Sequence, residues 1–222
     1  MASKTGESSS AQTGFDALYC KWGPVSFNNL VQEYDSKSEW NPALQSKTDT
    51  AFPLKEGKIT LFSDFFKFCN FRLPITKFCK FVIDKYPIHI SQLHPLGLVK
   101  LRHFEFACLA LGHILEITVF RAFFILVWKS PFFNFDRRDI GVSCLRDTPT
   151  SSRDKYWKKK FFYIDAGVIP GEMQWREMGV KDKFKDDGPP TDAYIENALL
   201  KRLSQRPSKC MVIPEGALVM AG

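Results

Sequence analysis

The stretch from Ile114 to Trp128 constrains this chain more than any other, because it is the strongest apolar run in the sequence and carries Arg121 inside it. A helix that spans a bilayer needs about 20 consecutive apolar residues, and an arginine near its middle costs a few kcal/mol. At about 15 residues the run is too short to span. It therefore reads as a core helix, about Leu115 to Trp128, apolar on nearly every side and covered by neighbours. Such a buried guanidinium requires a partner, and Glu105 and Glu116 are the carboxylates available.

The residues ahead of this run supply the cover. Phe62, Phe65, Phe66 and Cys69 fall at i, i+3, i+4 and i+7, the spacing of one helical face. Pro74 suits the first turn of a second helix, which Ile75, Phe78, Cys79, Val82, Ile83 and Tyr86 continue until Pro87. Pro95 opens a third, carried by Leu98, Leu101, Phe104, Cys108 and Leu111, with Gly112 as its C-cap. With 21 phenylalanines in the chain, each ring burying roughly 150 to 250 Å², core material is ample.

Beyond Ser130-Pro131 the period changes to two. Phe133 and Phe135 alternate with Asn134 and Asp136, and Phe161 and Tyr163 with Phe162 and Ile164, predicting an antiparallel strand pair joined by a long polar loop, about Arg138 to Lys155. The fold class expected is α+β, mainly helical: a compact helical module with a small antiparallel strand pair, a disordered N-terminus and an irregular C-terminal tail. Three regions follow. Residues 1–54 read as a disordered or loosely structured lead-in, 55–165 as the module, and 166–222 as a linker (Lys181 to Pro190) and a C-terminal helix (Tyr194 to Leu203), cut short in apolar sequence.

The net charge of +7 arises wholly from an excess of Lys and Arg within residues 55–165. A basic region attracts nucleic acid or an anionic surface without fixing any specific site. Cys20, Cys69, Cys79, Cys108, Cys144 and Cys210 are scattered among apolar residues, as buried free thiols are. Met1 to Gly14 has no apolar signal core. An intracellular protein, nuclear or cytoplasmic and not secreted, is the expectation.

Patterns that carry chemistry are weak. Asp136 and Glu172 have the separation of paired metal-binding carboxylates, but Glu172 follows Pro170-Gly171, a turn where a rigid helix is required. Asp186-Asp187 lies in charged linker sequence. Tyr163-Ile164-Asp165-Ala166-Gly167 has the strand and turn of an aspartic-protease signature with Ala166 in place of its hydroxyl residue. Cys79 and Cys108 sit on apolar faces, where thiols are inert even near His89, His94, His103 or His113. Zinc spacings and phosphate loops are absent. No catalytic residue, metal ligand, cofactor or small-molecule substrate is therefore expected.

What remains is Lys155-Tyr156-Trp157-Lys158-Lys159-Lys160-Phe161-Phe162-Tyr163. Cations interleaved with aromatics suit single-stranded nucleic acid, by phosphate pairing and base stacking. Lys155, Trp157, Lys158, Lys159 and Lys160 are the candidate contacts. The competing reading is a strand with core aromatics and solvated lysines.

Several of these segments, in order, resemble the gypsy-type transposon domain of plant retroelement-derived proteins. The resemblance covers about Leu54 to Asp165 and rests on Gln92-Leu93-His94-Pro95-Leu96-Gly97, Phe104-Glu105-Phe106-Ala107-Cys108, Phe120-Arg121-Ala122-Phe123-Phe124 and Trp157-Lys158-Lys159-Lys160-Phe161-Phe162. It implies descent from the capsid-like part of such elements and assigns no catalytic residues. The function expected is a non-catalytic assembly or interaction module that self-associates or touches RNA or DNA non-specifically. The alternatives are a fragment of a metal-dependent nuclease or transposase using Asp136, Asp165 and Glu172, and a decayed, nonfunctional copy.

Overall fold

The computed structural model describes residues 18–34, 38–52, 54–110, 112–138 and 156–176. The polar N-terminus, most of the loop after Arg138, Lys155, Cys144, Cys210, Asp186, Asp187, the charged linker and the C-terminal helix expected from sequence lie outside the described residues.

Ten helices and strands follow one another among the described residues: α1 Pro24–Glu33, β1 Ala43–Leu44, β2 Lys58–Phe62, α2 Ser63–Lys67, α3 Lys77–Lys85, α4 Pro95–Ala110, α5 Ile117–Phe123, β3 Phe124–Lys129, β4 Phe132–Arg137 and β5 Phe161–Asp165. The class is a mixed α+β fold with two small antiparallel sheets, and the expectation of a mainly helical module is overturned.

The departure begins in the apolar run itself. Its first half is α5, and without an intervening loop its second half becomes β3, which pairs with β4 from Phe124 against Arg137 to Lys129 against Phe132. A segment apolar on every side carries no periodicity to separate helix from strand, and the aromatic and β-branched Phe124–Lys129 is strand-favouring. The hairpin turns at Ser130-Pro131.

The second sheet has the order β1-β5-β2. Its central strand, β5, pairs antiparallel with β2 over Lys58 to Phe62 and with β1 at Ala43 and Leu44. The two strands expected to pair with each other, at Phe133 and Phe161, therefore belong to different sheets. Phe62 ends β2 and is not part of a helix, while α2 is a single short turn from Ser63.

α4 follows the sequence logic, and α3 does so from Lys77 onward, Pro74 and Ile75 lying ahead of the helix and not in its first turn. Thr76 caps α3 by accepting from the Cys79 N–H at 3.1 Å, and the buried Phe78, Cys79, Val82 and Ile83 form its inner face. α4 begins at Pro95 and ends in a Schellman motif: Gly112, at φ +67°, donates to the Leu109 carbonyl, and His113 to that of Cys108. Gly97 gives α4 its close seat on β4, since a Cβ there would stand 3.2 Å from the Phe135 nitrogen.

The core is an aromatic seam between the sheets. Phe62 meets Phe132 at 5.6 Å and Phe161 at 6.1 Å, both edge-to-face, the arrangement that ring quadrupoles favour. Phe120, on α5, meets Phe104 at 5.3 Å and Phe135 at 4.9 Å. Cys20, Leu30, Ala51 and Phe52 from the lead-in belong to the same core, with Phe52 at 5.0 Å from Trp175. Among the described residues no helix is long and apolar enough to cross a membrane.

Candidate nucleic-acid interface

The basic and aromatic segment enters β5 through a short 3-10 turn, Trp157–Lys159. Trp157 is only 3% exposed. Its indole packs edge-on against Phe62 at 5.0 Å and His94 at 5.0 Å, and lies 4.8 Å from Phe132. Phe161, Phe162 and Tyr163 are buried beside it, so none of these rings offers an open face to a base. The aromatic at the surface is Tyr156, at 67% exposure.

The lysines lie otherwise. Lys159 and Lys160 are half-buried, and their carbonyls accept from the N–H groups of Lys21 (2.8 Å) and Ser63 (2.9 Å). Both neighbours thus pin the backbone of the run. Lys158 places its Nζ 5.2 Å from the Phe132 centroid and 5.9 Å from that of Trp157. Burial pushes its pKa down. Lys155 lies outside the described residues.

Next to Lys158 stands a group that sequence reading did not single out as a site. His94 donates its backbone N–H to Phe133 and accepts at Nδ1 from the Leu96 N–H, 3.0 Å away. Burial, followed by the charges of Lys158, Lys129 and Lys100, lowers its pKa to about 4, against a smaller upward pull from Asp136. Lys129 Nζ lies 2.7 Å and Lys100 Nζ 3.6 Å from Asp136 carboxylate oxygens. Lys100 also donates to the Phe135 carbonyl, and Asn134 Nδ2 to Asp136 at 2.7 Å. The signal in sequence was faint: Lys100 and Lys129 are isolated lysines 29 positions apart, joined only by the packing of α4 on β4.

The carboxylates considered for metal chemistry are committed elsewhere. Asp136 is bound by lysines. Asp165, at the end of β5, accepts from Lys58, whose hydrogen bond chiefly lowers its pKa, and from Asn41. Glu172 is exposed after the Gly171 turn. Among the described residues no three His, Cys, Asp or Glu side chains gather as a metal-binding group.

Comparison of the chain with family models, curated proteins and solved structures finds no match.

Among the described thiols, Cys69, Cys79 and Cys108 are buried and held protonated. Burial, then Glu105, raises the pKa of Cys79 far above its ordinary value and that of Cys108 to about 11. Cys69 is likewise raised by burial, and donates to the Pro95 carbonyl at 3.1 Å. A thiol held protonated at neutral pH is a poor nucleophile.

Glu105 is 2% exposed, and its carboxylate accepts from Thr76 and Arg102. Its cation is Arg102, one turn away on α4, and not Arg121 as the sequence suggested. Arg121 is half-buried on the short α5, where its carbonyl accepts from Arg138 Nε at 2.7 Å. Glu116 lies 3.4 Å from the Thr118 hydroxyl, which donates to it.

Proposed function

We propose that the chain is a non-catalytic assembly or interaction module of gypsy-type retroelement origin that contacts the backbone of RNA or DNA without reading its sequence. The retroelement origin rests on the motif resemblance. The observation that carries the contact is the pairing of Lys100 and Lys129 on Asp136, with Lys158 over the neighbouring Phe132 ring and Lys159 and Lys160 following on a pinned backbone. Ammonium groups on a rigid edge neutralise phosphates and release counterions, which gives affinity without sequence preference. With Trp157 in the core, stacking is a minor part of this contact.

Self-association belongs to the same proposal. Phe81, Leu109 and Ile114 are exposed at 52%, 49% and 79%, apolar surface that a second copy would cover. An intracellular location goes with buried, free Cys20, Cys69, Cys79 and Cys108.

Size-exclusion chromatography with light scattering, run with and without single-stranded RNA at low and high salt, tests this function. Oligomers, or RNA complexes that dissociate as salt rises, are expected. A strictly monomeric protein with no salt-sensitive RNA binding would sink the proposal.

A further inference from the structure

The structure assigns to His94, Lys100, Lys129 and Lys158 a second and narrower role: together they form a site for one phosphate group. This deepens the nucleic-acid proposal and rests on it for the source of the phosphate, while the site itself stands on geometry.

Two faces build the site. On one, the His94 ring and the Lys158 ammonium flank the same pair of buried rings: His94 lies 5.0 Å from Trp157 and 6.4 Å from Phe132, and Lys158 Nζ 5.9 Å and 5.2 Å from them. On the other, Lys129 and Lys100 meet at Asp136, at 2.7 and 3.6 Å. The two faces adjoin, because Lys129 pairs across the hairpin with Phe132, the ring that His94 and Lys158 both approach; the three lysines and Asp136 also influence His94. Among the described residues, three ammonium groups stand against one carboxylate, which leaves positive charge in excess.

The excess has no evident role in folding. Lys100 has only 12% of its side chain exposed, and Lys158 is partly desolvated over aromatic rings. Like charges held together at half-buried positions oppose folding, and such local conflicts are expected where a ligand binds. A phosphate resolves this one. It brings up to two negative charges and several acceptor oxygens, matching ammonium donors and an imidazole N–H. His94 is suited to donate, because its Nδ1 already accepts from Leu96 and the ring proton therefore resides on Nε2. Asp136 fixes Lys129 and Lys100 but repels an anion, so the site suits a moderate, exchangeable affinity.

The phosphate belongs to a nucleic-acid backbone or is a free phosphate, and one experiment separates the two. The full chain, labelled in its histidine rings, is titrated by NMR to locate the pH at which His94 protonates. The titration is repeated with sodium phosphate, with an oligouridylate, and with sodium chloride at matched ionic strength. Expected is an upward move of the His94 titration with phosphate and with the oligouridylate, saturable in each case and absent with chloride. Asp136, Lys100, Lys129 and Lys158 face the ring and are present in every arm, so the move reports the added anion.

Lys129→Gln and Lys158→Gln, checked for folding by their spectra, are expected to weaken half-saturation about two- to fivefold each. A response to phosphate alone supports the site and overturns its assignment to nucleic acid. If the oligouridylate binds in a salt-sensitive way while His94 does not move, the site is overturned and the broader function survives. No response and no binding overturns both. Unchanged phosphate affinity in both lysine variants also overturns the site.

Discussion

Replacing Trp157 by alanine tests whether the ring is core or contact surface. Trp157 is 3% exposed and packs against Phe62, Phe132 and His94 at centroid separations of 5.0, 4.8 and 5.0 Å. An aromatic of this size removes roughly 200 Å² from water, which at about 25 cal/mol per Å² is about 5 kcal/mol. The denatured chain already hides part of that area, and the site collapses only partly, so about 3 to 5 kcal/mol is the expected loss. Urea unfolding followed by far-UV circular dichroism measures it. With an m-value of about 2 kcal/mol/M, the midpoint falls by about 2 M. Whole-domain stabilities are about 5 to 15 kcal/mol, so Trp157→Ala can unfold outright. Trp157→Phe, which keeps a ring in the seam, is the milder companion, with a loss of about 1 to 2 kcal/mol. It is expected to leave salt-sensitive RNA affinity within about twofold, a change of about 0.4 kcal/mol. A midpoint shift below about 0.3 M in Trp157→Ala, accompanied by lost RNA binding, would refute the placement of this ring in the core.

Three further outcomes are expected. His89 and His94 both have their pKa lowered to about 4 from 6.5, chiefly by burial. The native state therefore disfavours their protonation, and stability present above pH 6.5 is lost as pH falls toward 4, by up to about 3 kcal/mol for each ring; urea midpoints across that window should fall with pH. Glu105 has the opposite sign: burial raises its pKa from 4.5 against the lowering effects of Arg102 and Thr76, so its contribution declines as pH rises through the window that opens at 4.5. Glu105→Gln should remove that decline, seen as a flatter difference curve against the parent protein. Gly97→Ala should destabilise by about 0 to 2 kcal/mol, because a helix gain of about 1 kcal/mol is offset by about 1 to 3 kcal/mol of overpacking. The new methyl would stand 3.1 Å from Asn134 Oδ1 and Leu93 Cδ1 and 3.2 Å from the Phe135 nitrogen; thermal unfolding reads the sign.

How far the fold was legible varies with how local its signals are. α4 was readable from Pro95 to Gly112 because its cap residues announce themselves, and α3 from its apolar spacing. The strands at Phe133 and Phe161 were visible as alternation, although both are buried on two faces, Phe132 to Phe135 and Phe161 to Ile164. Their partners were not legible. β5 pairs with β2 across a chain separation of 107 residues between Lys58 and Asp165, and no short-range pattern encodes such a contact. β3 was hidden by uniform apolarity, which carries no period to separate helix from strand. α1 was obscured by Gly23-Pro24 and Asn28-Asn29, which read as loop, while Phe27 and Leu30 supplied its buried face.

The candidate site divides in the same way. The lysines at 158 to 160 were apparent as a run. The role of their neighbour Trp157, core ring or contact surface on the sequence alone, depended on Phe62 and Phe132, residues far away in sequence that pack on it. His94, Lys100 and Lys129 became a group only through the seating of α4 on β4 at Gly97, where the absence of a side chain brings helix and strand together.

The most direct test of the central claim is the salt dependence of binding to a single-stranded RNA. Five lysine contacts, at about −0.7 each in the slope of log K against log salt, predict a slope of about −3.5 with little difference between base compositions. No binding at low salt, or binding that is insensitive to salt and selective for one base sequence, would contradict the account.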